Sequence, residues 1–488
     1  MGGSLSKNSR RSPMVGERKL NEEELFLLKT AALLHDPPHK PWILLGKYKI
    51  EGDGSDREKH EIEASNLSKK ILEGTVLEKA SGMLFREEVK KADILASSQD
   101  RFLLAERIKG IWGTTELRNM FRPKFRYRGE KPSKEKIKDF ANEMNQILRK
   151  IKDVKLAYHV LFSLIEPLWF EKTGSIGPAD TRVPNHSIFD HLYATASMIN
   201  WTATGKNEEE GLMIAIDLAG IQSLVKSARK LSDYWAGSWL VSALAWALVR
   251  EFVEEYGPDV LVVPTARSNP FYYYWIKKKL EDNGIKIKQL ENICKKILPE
   301  GWPKHPVIPG TITLIIPKRG EDLREKLRKK YVDSWSEIVD DIYERLTDEL
   351  NKDNLSKEKY KEKIRKLLFI VREAPPLRLR TFCLDLSEEK RKLSGIGLKE
   401  YPDTETVGRK LIYHHMFTNL IRLTPKESVS FSPGVEVDWE ITESGKYEIC
   451  SCCSQLPAVI RRPRGENKLE ILEESGYESL TDDEKSIH

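Results

Sequence analysis

At 488 residues the chain is too long for a single hydrophobic core, and 81 Lys+Arg against 75 Asp+Glu leave a net charge of only +6, too small to establish a nucleic-acid partner. A hydrophobic content of 40% excludes a wholly disordered chain, and neither a run near the ~20 apolar residues of a membrane span nor the apolar centre of a secretory signal is visible, so the expectation is a cytoplasmic multidomain protein with no membrane partner. Five glutamines (Gln99, Gln146, Gln222, Gln289, Gln455) beside 32% charged residues match heat-adapted compositions, and the five cysteines form a poor disulfide framework that fits a reducing compartment.

Residues 1–20 carry Ser, Gly, Lys and Arg without apolar periodicity and predict a disordered basic tail. Asn21 and Glu24 have the spacing of a capping box, and Leu27, Ala31 and Leu34 recur at helical spacing until Pro37-Pro38 stops them. Further helical segments between Gly and Pro breaks make residues 21–205 an expected all-α domain. At Gly211 the pattern changes. Leu212 to Asp217 is an apolar run of strand length, a long apolar helix follows to about Phe252, and Val260–Val263, Thr311–Ile316 and Phe382–Leu386 read as further strands. Strands alternating with helices predict a ferredoxin-like domain over residues 206–400. Within it, residues 320–367 repeat Glu, Lys and Arg at helical spacing and read as a solvated helical pair. Residues 401–488 show no period.

Three separated pieces offer metal-ligand chemistry: His35-Asp36, His60 and Asp93. His60 shares a helical face with Ala64, Leu67 and Ile71, and Asp93 shares one with Phe85, Val89 and Ala96, so each polar group points where apolar residues point. A carboxylate buried there needs a partner. A divalent cation would be one, and mixed imidazole and carboxylate donors suit Mn, Fe, Ni or Zn; the ion would acidify a water for phosphodiester hydrolysis. The competing reading is a satisfied core histidine and a chance His-Asp pair. His39 offers a further ligand or is a loop residue, and the loop reading is preferred.

Other features carry weaker chemistry. Asp217 ends a strand beside Gly220, where it either seats a cation and nucleotide or simply caps the next helix. Arg118, Arg122, Lys124, Arg126 and Arg128 interleave with Phe121, Phe125 and Tyr127, with Glu130 the opposing acid, a pattern suited to phosphates and unpaired bases or to a protein neighbour. Cys450-Ser451-Cys452-Cys453 contains one C-x-x-C pair, Cys450 and Cys453, half of a tetrahedral zinc site, and the residues that follow contain no cysteine and one histidine, His488.

The wording around these residues adds a family. Leu33-Leu34-His35-Asp36-Pro37-Pro38-His39-Lys40 and the segment from Lys91 to Arg101 resemble the two HD segments of the large subunit of the type III-B CRISPR RNA-guided effector, the Cmr complex, in the same permuted order. The stretch Ile216-Asp217-Leu218-Ala219-Gly220-Ile221-Gln222, continued from Ser227 to Ser238, is similar to that subunit's first palm domain. The resemblance covers most of residues 25–460.

The resemblance implies an α+β multidomain chain: an all-α HD nuclease domain, a ferredoxin-like palm of adenylyl-cyclase type, and a truncated helical and zinc-knuckle region. It implies metal roles for His35, Asp36 and Asp93, with His35 and Asp36 catalytic, His60 as fourth ligand, Asp217 at a nucleotide and single-stranded DNA as substrate. Other Cmr subunits, guide RNA and target RNA are the implied partners in antiviral defence. Cyclase chemistry in such folds needs a Gly-Gly-Asp-Asp hairpin, and the corresponding stretch from Val263 to Pro270 has no acidic residue. The palm is therefore expected to be non-catalytic, with ATP chemistry and the rest of a zinc site at Cys450 and Cys453 awaiting a C-terminal half beyond residue 488. Two other functions stay open: an idle scaffold of the ribonucleoprotein, and a stand-alone HD phosphohydrolase of nucleotides.

Overall fold

The computed structural model describes residues 21–48, 56–101, 113–204, 209–318, 322–352 and 375–395 apart from a few single positions, with short pieces within 412–420 and at 429–431, 460–461 and 470–471. Cys450, Cys453 and the basic tail lie outside the described residues.

Helix α1 (Glu22–Leu34) begins at Asn21, whose side chain accepts from the Glu24 amide at 2.7 Å. Asn21 thus supplies its half of the expected capping box, and the Glu24 carboxylate also accepts from Arg86 at 3.0 Å. Residues Glu24 to Leu34 are all buried, which makes α1 a central helix with no solvated face. Around it follow α2 (Lys40–Leu44), α3 (Asp56–Leu72), α4 (Glu87–Arg101), α5 (Lys134–Leu148), α6 (Val154–Thr173) and α7 (Ile188–Thr202). The all-α expectation needs one correction. Strands β1 (Glu116–Arg118) and β2 (Arg126–Arg128) form an antiparallel ribbon between α4 and α5. Each strand is three residues long, too short for its alternation to register as a period.

The second region builds an antiparallel sheet from β3 (Leu212–Ala219), β4 (Leu261–Val263), β5 (Thr311–Ile316), β6 (Arg378–Asp385) and β7 (Val429–Phe431), in the order β4-β5-β3-β6-β7. Central β3 pairs Leu212 with Ile316 on one side and with Asp385 on the other. Both its faces are covered, which is why it reads as a continuous apolar run. Helices α8 (Ile221–Lys226) and α9 (Leu231–Tyr256) connect β3 to β4. Helices α10 (Pro270–Asp282) and α11 (Lys288–Ile297) lie between β4 and β5, α12 (Leu323–Lys352) between β5 and β6, and α13 (Leu386–Gly395) follows β6. Strand β7 carries the sheet past residue 400, where the domain was expected to end.

Two helices differ from their sequence reading. By length and composition α9 could cross a membrane, although 56% of its most apolar window is buried inside the protein. The charged α12 is not solvated all round: Leu323, Leu327, Tyr331, Trp335 and Val339 are buried at four-residue spacing, a stripe packed on α9 and β6.

The helical and sheet regions share buried contacts. Lys29 of α1 lies 2.5 Å from Asp259, just before β4, and both side chains are completely buried. Tyr158 donates to the same carboxylate at 2.7 Å and Asn200 at 3.2 Å, while the Trp201 indole donates to the Leu212 carbonyl.

Candidate metal centre

Pro37 and Pro38 cannot continue α1, so His35 falls at its C-cap and Asp36 on the turn beyond. The His35 Nδ1 lies 2.7 Å from the Ala32 carbonyl, which can only accept. Nδ1 therefore carries hydrogen, and in the neutral ring Nε2 presents its lone pair. That Nε2 is buried and makes no hydrogen bond. An orphaned buried nitrogen is costly unless something outside the chain completes it.

Two carboxylates and a second imidazole surround it. Asp36 Oδ2 is 3.5 Å away and Asp93 Oδ1, from α4, is 3.8 Å away. His191 of α7 places its Nε2 3.1 Å from Asp93 Oδ1 and 3.8 Å from Asp36 Oδ2. One donor atom each from His35, Asp93 and His191 lies within 4.8 Å of the others. Ligands on one ion at bonds of ~2.1 Å stand up to about 4.2 Å apart, so this set fits a transition metal with small adjustments. His60 of α3 approaches the other oxygen of Asp36 at 3.5 Å, and Lys40 pairs with Oδ2. The structure thus brings His35, Asp36, His60 and Asp93 together and adds His191.

Nothing in the linear sequence singled out His191. Ser187 and Asp190 form a full capping box that fixes where α7 begins, and His191 then shares a buried stretch with Ile188, Leu192 and Thr195. Only the packing of α7 against α1 and α4 turns that histidine toward Asp93. The Asp93 side chain is 41% exposed while His35, Asp36 and His191 are nearly enclosed, so the cluster opens to solvent on the Asp93 side.

Burial pushes the Asp36 carboxyl up, but Lys40 and His35 outweigh it and hold the group down at about 2. Burial likewise opposes ionisation of Asp93, and His191 and His35 hold it well below the ordinary carboxylate range. Both are anions at neutral pH. A depressed folded pKa stabilises the fold above the unfolded value of 3.8 and loses that contribution as pH falls toward about 2. The acid limb of a stability–pH curve should therefore be shallower in Asp36→Asn than in the wild type; identical limbs by chemical denaturation would contradict this.

The other candidates lie elsewhere. His39 lies on the turn before α2, as expected, and is fully buried, stacked on Trp169 at 6.0 Å and 3.2 Å from Glu63. Asp217 accepts from Thr311 at 2.7 Å and lies 3.8 Å from Arg380, held between its neighbouring strands. Arg118, Arg122, Lys124, Arg126 and Arg128 sit on the exposed ribbon, with Phe121 90% and Phe125 73% exposed. The acid that opposes them is Glu116 as well as Glu130: it pairs across the ribbon with Arg128 and lies 3.8 Å from Arg126.

A family model described as CRISPR-associated protein Cmr2, N-terminal, matches residues 213–340. The CRISPR system CMR subunit Cmr2 of Saccharolobus solfataricus is 28% identical over 519 residues, covering 96% of this chain and 47% of that relative. The chain is similar to Cmr2 over nearly all of its length. It is similar to a chain of the type III-B Cmr-beta complex in its apo state, with TM-score 0.67 and 26% identity over 90% of this chain and 45% of that one. The same complex bound to cognate target RNA matches with TM-score 0.58 and 26% identity, over 88% of this chain and 44% of that one. The chain thus spans about half the length of the relatives it matches. The family model begins after the cluster of His35, Asp36, Asp93 and His191, so it does not bear on these residues.

Proposed function

We propose that the helical region is an HD-type, metal-dependent phosphodiesterase for single-stranded DNA in the large subunit of a type III-B effector. The carrying observation is the buried, unbonded His35 Nε2 facing Asp36, Asp93 and His191. His35, Asp93 and His191, with Asp36, would hold a divalent transition ion, which when bound supplies an acidified water and polarises the phosphodiester. The chain's own groups do the rest. The Ala32 carbonyl fixes the His35 tautomer, His60 and Lys40 orient Asp36, and the open side at Asp93 admits a strand.

The exposed ribbon supports the choice of an unpaired strand, because aromatic faces stack on bases while cations follow phosphates. Each base stacked on an aromatic ring contributes about 1–3 kcal/mol. Phe121→Ala/Phe125→Ala should weaken binding of single-stranded DNA by at least about tenfold, read by fluorescence anisotropy at fixed salt. Unchanged affinity would remove the ribbon from the interface.

The sheet region reads as a palm. Its first four strands run β-α-β-β-α-β with the ferredoxin-like order, two helices being inserted between the second and third. We assign it a non-catalytic share of a nucleotide site that includes Asp217. By likeness to the complex bound to cognate target RNA, its partners would be other Cmr subunits, guide RNA and target RNA.

The test is cleavage of single-stranded DNA by the purified chain with added Mn or Ni, beside hydrolysis of free nucleotides. Strand cleavage supports the nuclease. Nucleotide hydrolysis alone would make it a phosphohydrolase, and no hydrolysis with no metal binding would leave a scaffold.

A further inference from the structure

We propose that Arg267, on the loop between β4 and α10, is a positioning residue for the metal centre: it clamps the first turn of α7 to the sheet region and so sets where His191 stands. The inference rests on the metal-centre reading above.

The clamp is dense and has one geometry. Arg267 donates from Nε to Glu166 Oε2 at 3.0 Å and from Nη2 to Oε1 and Oε2 at 2.8 and 2.7 Å, a fork on a carboxylate of α6. Its Nη1 donates to Asp190 Oδ1 of α7. The guanidinium also lies over the Tyr193 ring, 4.6 Å from the centroid. Asp190 and Tyr193 flank His191, so Arg267 grips α7 on both sides of the candidate ligand.

Asp190 has no slack to give. Its Oδ2 accepts from the Ser187 amide at 2.7 Å and the Ser187 hydroxyl at 2.9 Å, which is the capping box that starts the helix, while Oδ1 is taken by Arg267. Tyr193 is tied in turn to the Phe162 carbonyl at 3.0 Å. The loop that presents Arg267 is itself fixed: Ala266 is fully buried, Thr265 accepts from the Arg267 amide at 3.2 Å, and Asn269 caps α10 through Phe271.

Without the guanidinium, Glu166 and Asp190 would face each other with no cation between them. Like charges in a half-buried site repel, and because Asp190 is tied through its other oxygen to Ser187, the repulsion is passed to the first turn of α7. The first turn of α7 would shift, and with it the His191 Nε2 that stands 3.1 Å from Asp93. A ligand atom displaced by a fraction of its bond length weakens the whole ligand set. Arg267 therefore mechanically links the sheet-edge loop to the metal centre.

Calorimetric titration with Mn, alongside thermal unfolding, tests this on the full chain. Arg267→Met is expected to bind Mn about 10–100-fold more weakly than wild type, the range for losing a partner that orients a ligand. Arg267→Lys, which keeps a cation but not the fork, should recover part of the loss. Lys29→Met, remote from α7's first turn, should lower stability yet leave Mn affinity of the folded protein unchanged. Wild-type affinity in Arg267→Met, or an equal affinity loss in Lys29→Met, overturns the positioning role while leaving the metal centre intact. If Arg267→Met does not fold, the partial loss in Arg267→Lys decides. No Mn binding by the wild type overturns both readings together.

Discussion

His35→Ala/Asp36→Ala protein is expected to lose metal-dependent cleavage of single-stranded DNA by more than about 100-fold, because altering groups that merely orient a ligand already costs ~10–100-fold. The substitution removes the buried Nε2 that has no hydrogen bond and the carboxylate that His60 and Lys40 hold. The fold should survive, since both residues lie at the end of α1, whose buried length from Leu25 to Leu34 is left unchanged. His191→Ala should produce a comparable loss. That single variant separates the three-dimensional cluster from the His-Asp motif: a motif acting alone would tolerate it. Cleavage rates measured with Mn and with Ni, with circular dichroism to verify folding, provide the check. Retained activity in either variant would place the chemistry elsewhere.

Lys29→Met should destabilise the protein by about 3–5 kcal/mol, the cost of stranding one buried charge. Lys29 and Asp259 are both fully enclosed, and Lys29 also donates to the Tyr256 carbonyl. Burial lowers the Lys29 pKa and the Asp259 charge works against that, so the ammonium depends on this one carboxylate. After substitution Asp259 would keep Tyr158 and Asn200 as neutral donors but no counterion. Lys29→Met/Asp259→Leu should recover much of the loss, because a buried ion pair replaced by apolar groups is often near neutral. Urea denaturation of the three proteins measures the difference. A single-variant cost under about 1 kcal/mol would mean that the pair is solvated in practice. Because Lys29 lies on α1 and Asp259 just before β4, the same measurement reports whether the helical and sheet regions unfold as one unit.

What could be read from the chain was local. The stop at Pro37-Pro38, the apolar run of β3 and the strands ending near Ile316 and Asp385 follow from periods of 3.6 and 2 within a few residues. His60 and Asp93 were legible because they interrupt apolar faces, and His35-Asp36 because an acid and an imidazole are adjacent. The Asp93 face was only partly right: Phe85 precedes α4 and is 36% exposed, whereas Val89 and Ala96 are buried. Likewise Glu116 was missed as the acid opposing the ribbon's arginines, since a cross-strand pair has no fixed spacing along the chain.

His191 and Arg267 mark the limit of that reading. His191 lies on a helix where Thr195 and Asn200 are buried as well, so a polar residue on that face signalled nothing by itself. Its role depends on which helices α7 meets, and Arg267's on a loop that arrives from the sheet. A residue's own helix fixes the direction of its side chain, but the partner it faces is chosen by packing among segments far apart in sequence. The chain's local chemistry thus set which groups point inward at His35, His60 and Asp93, while tertiary packing alone decided that His191 completes their cluster and that Arg267 holds it in place.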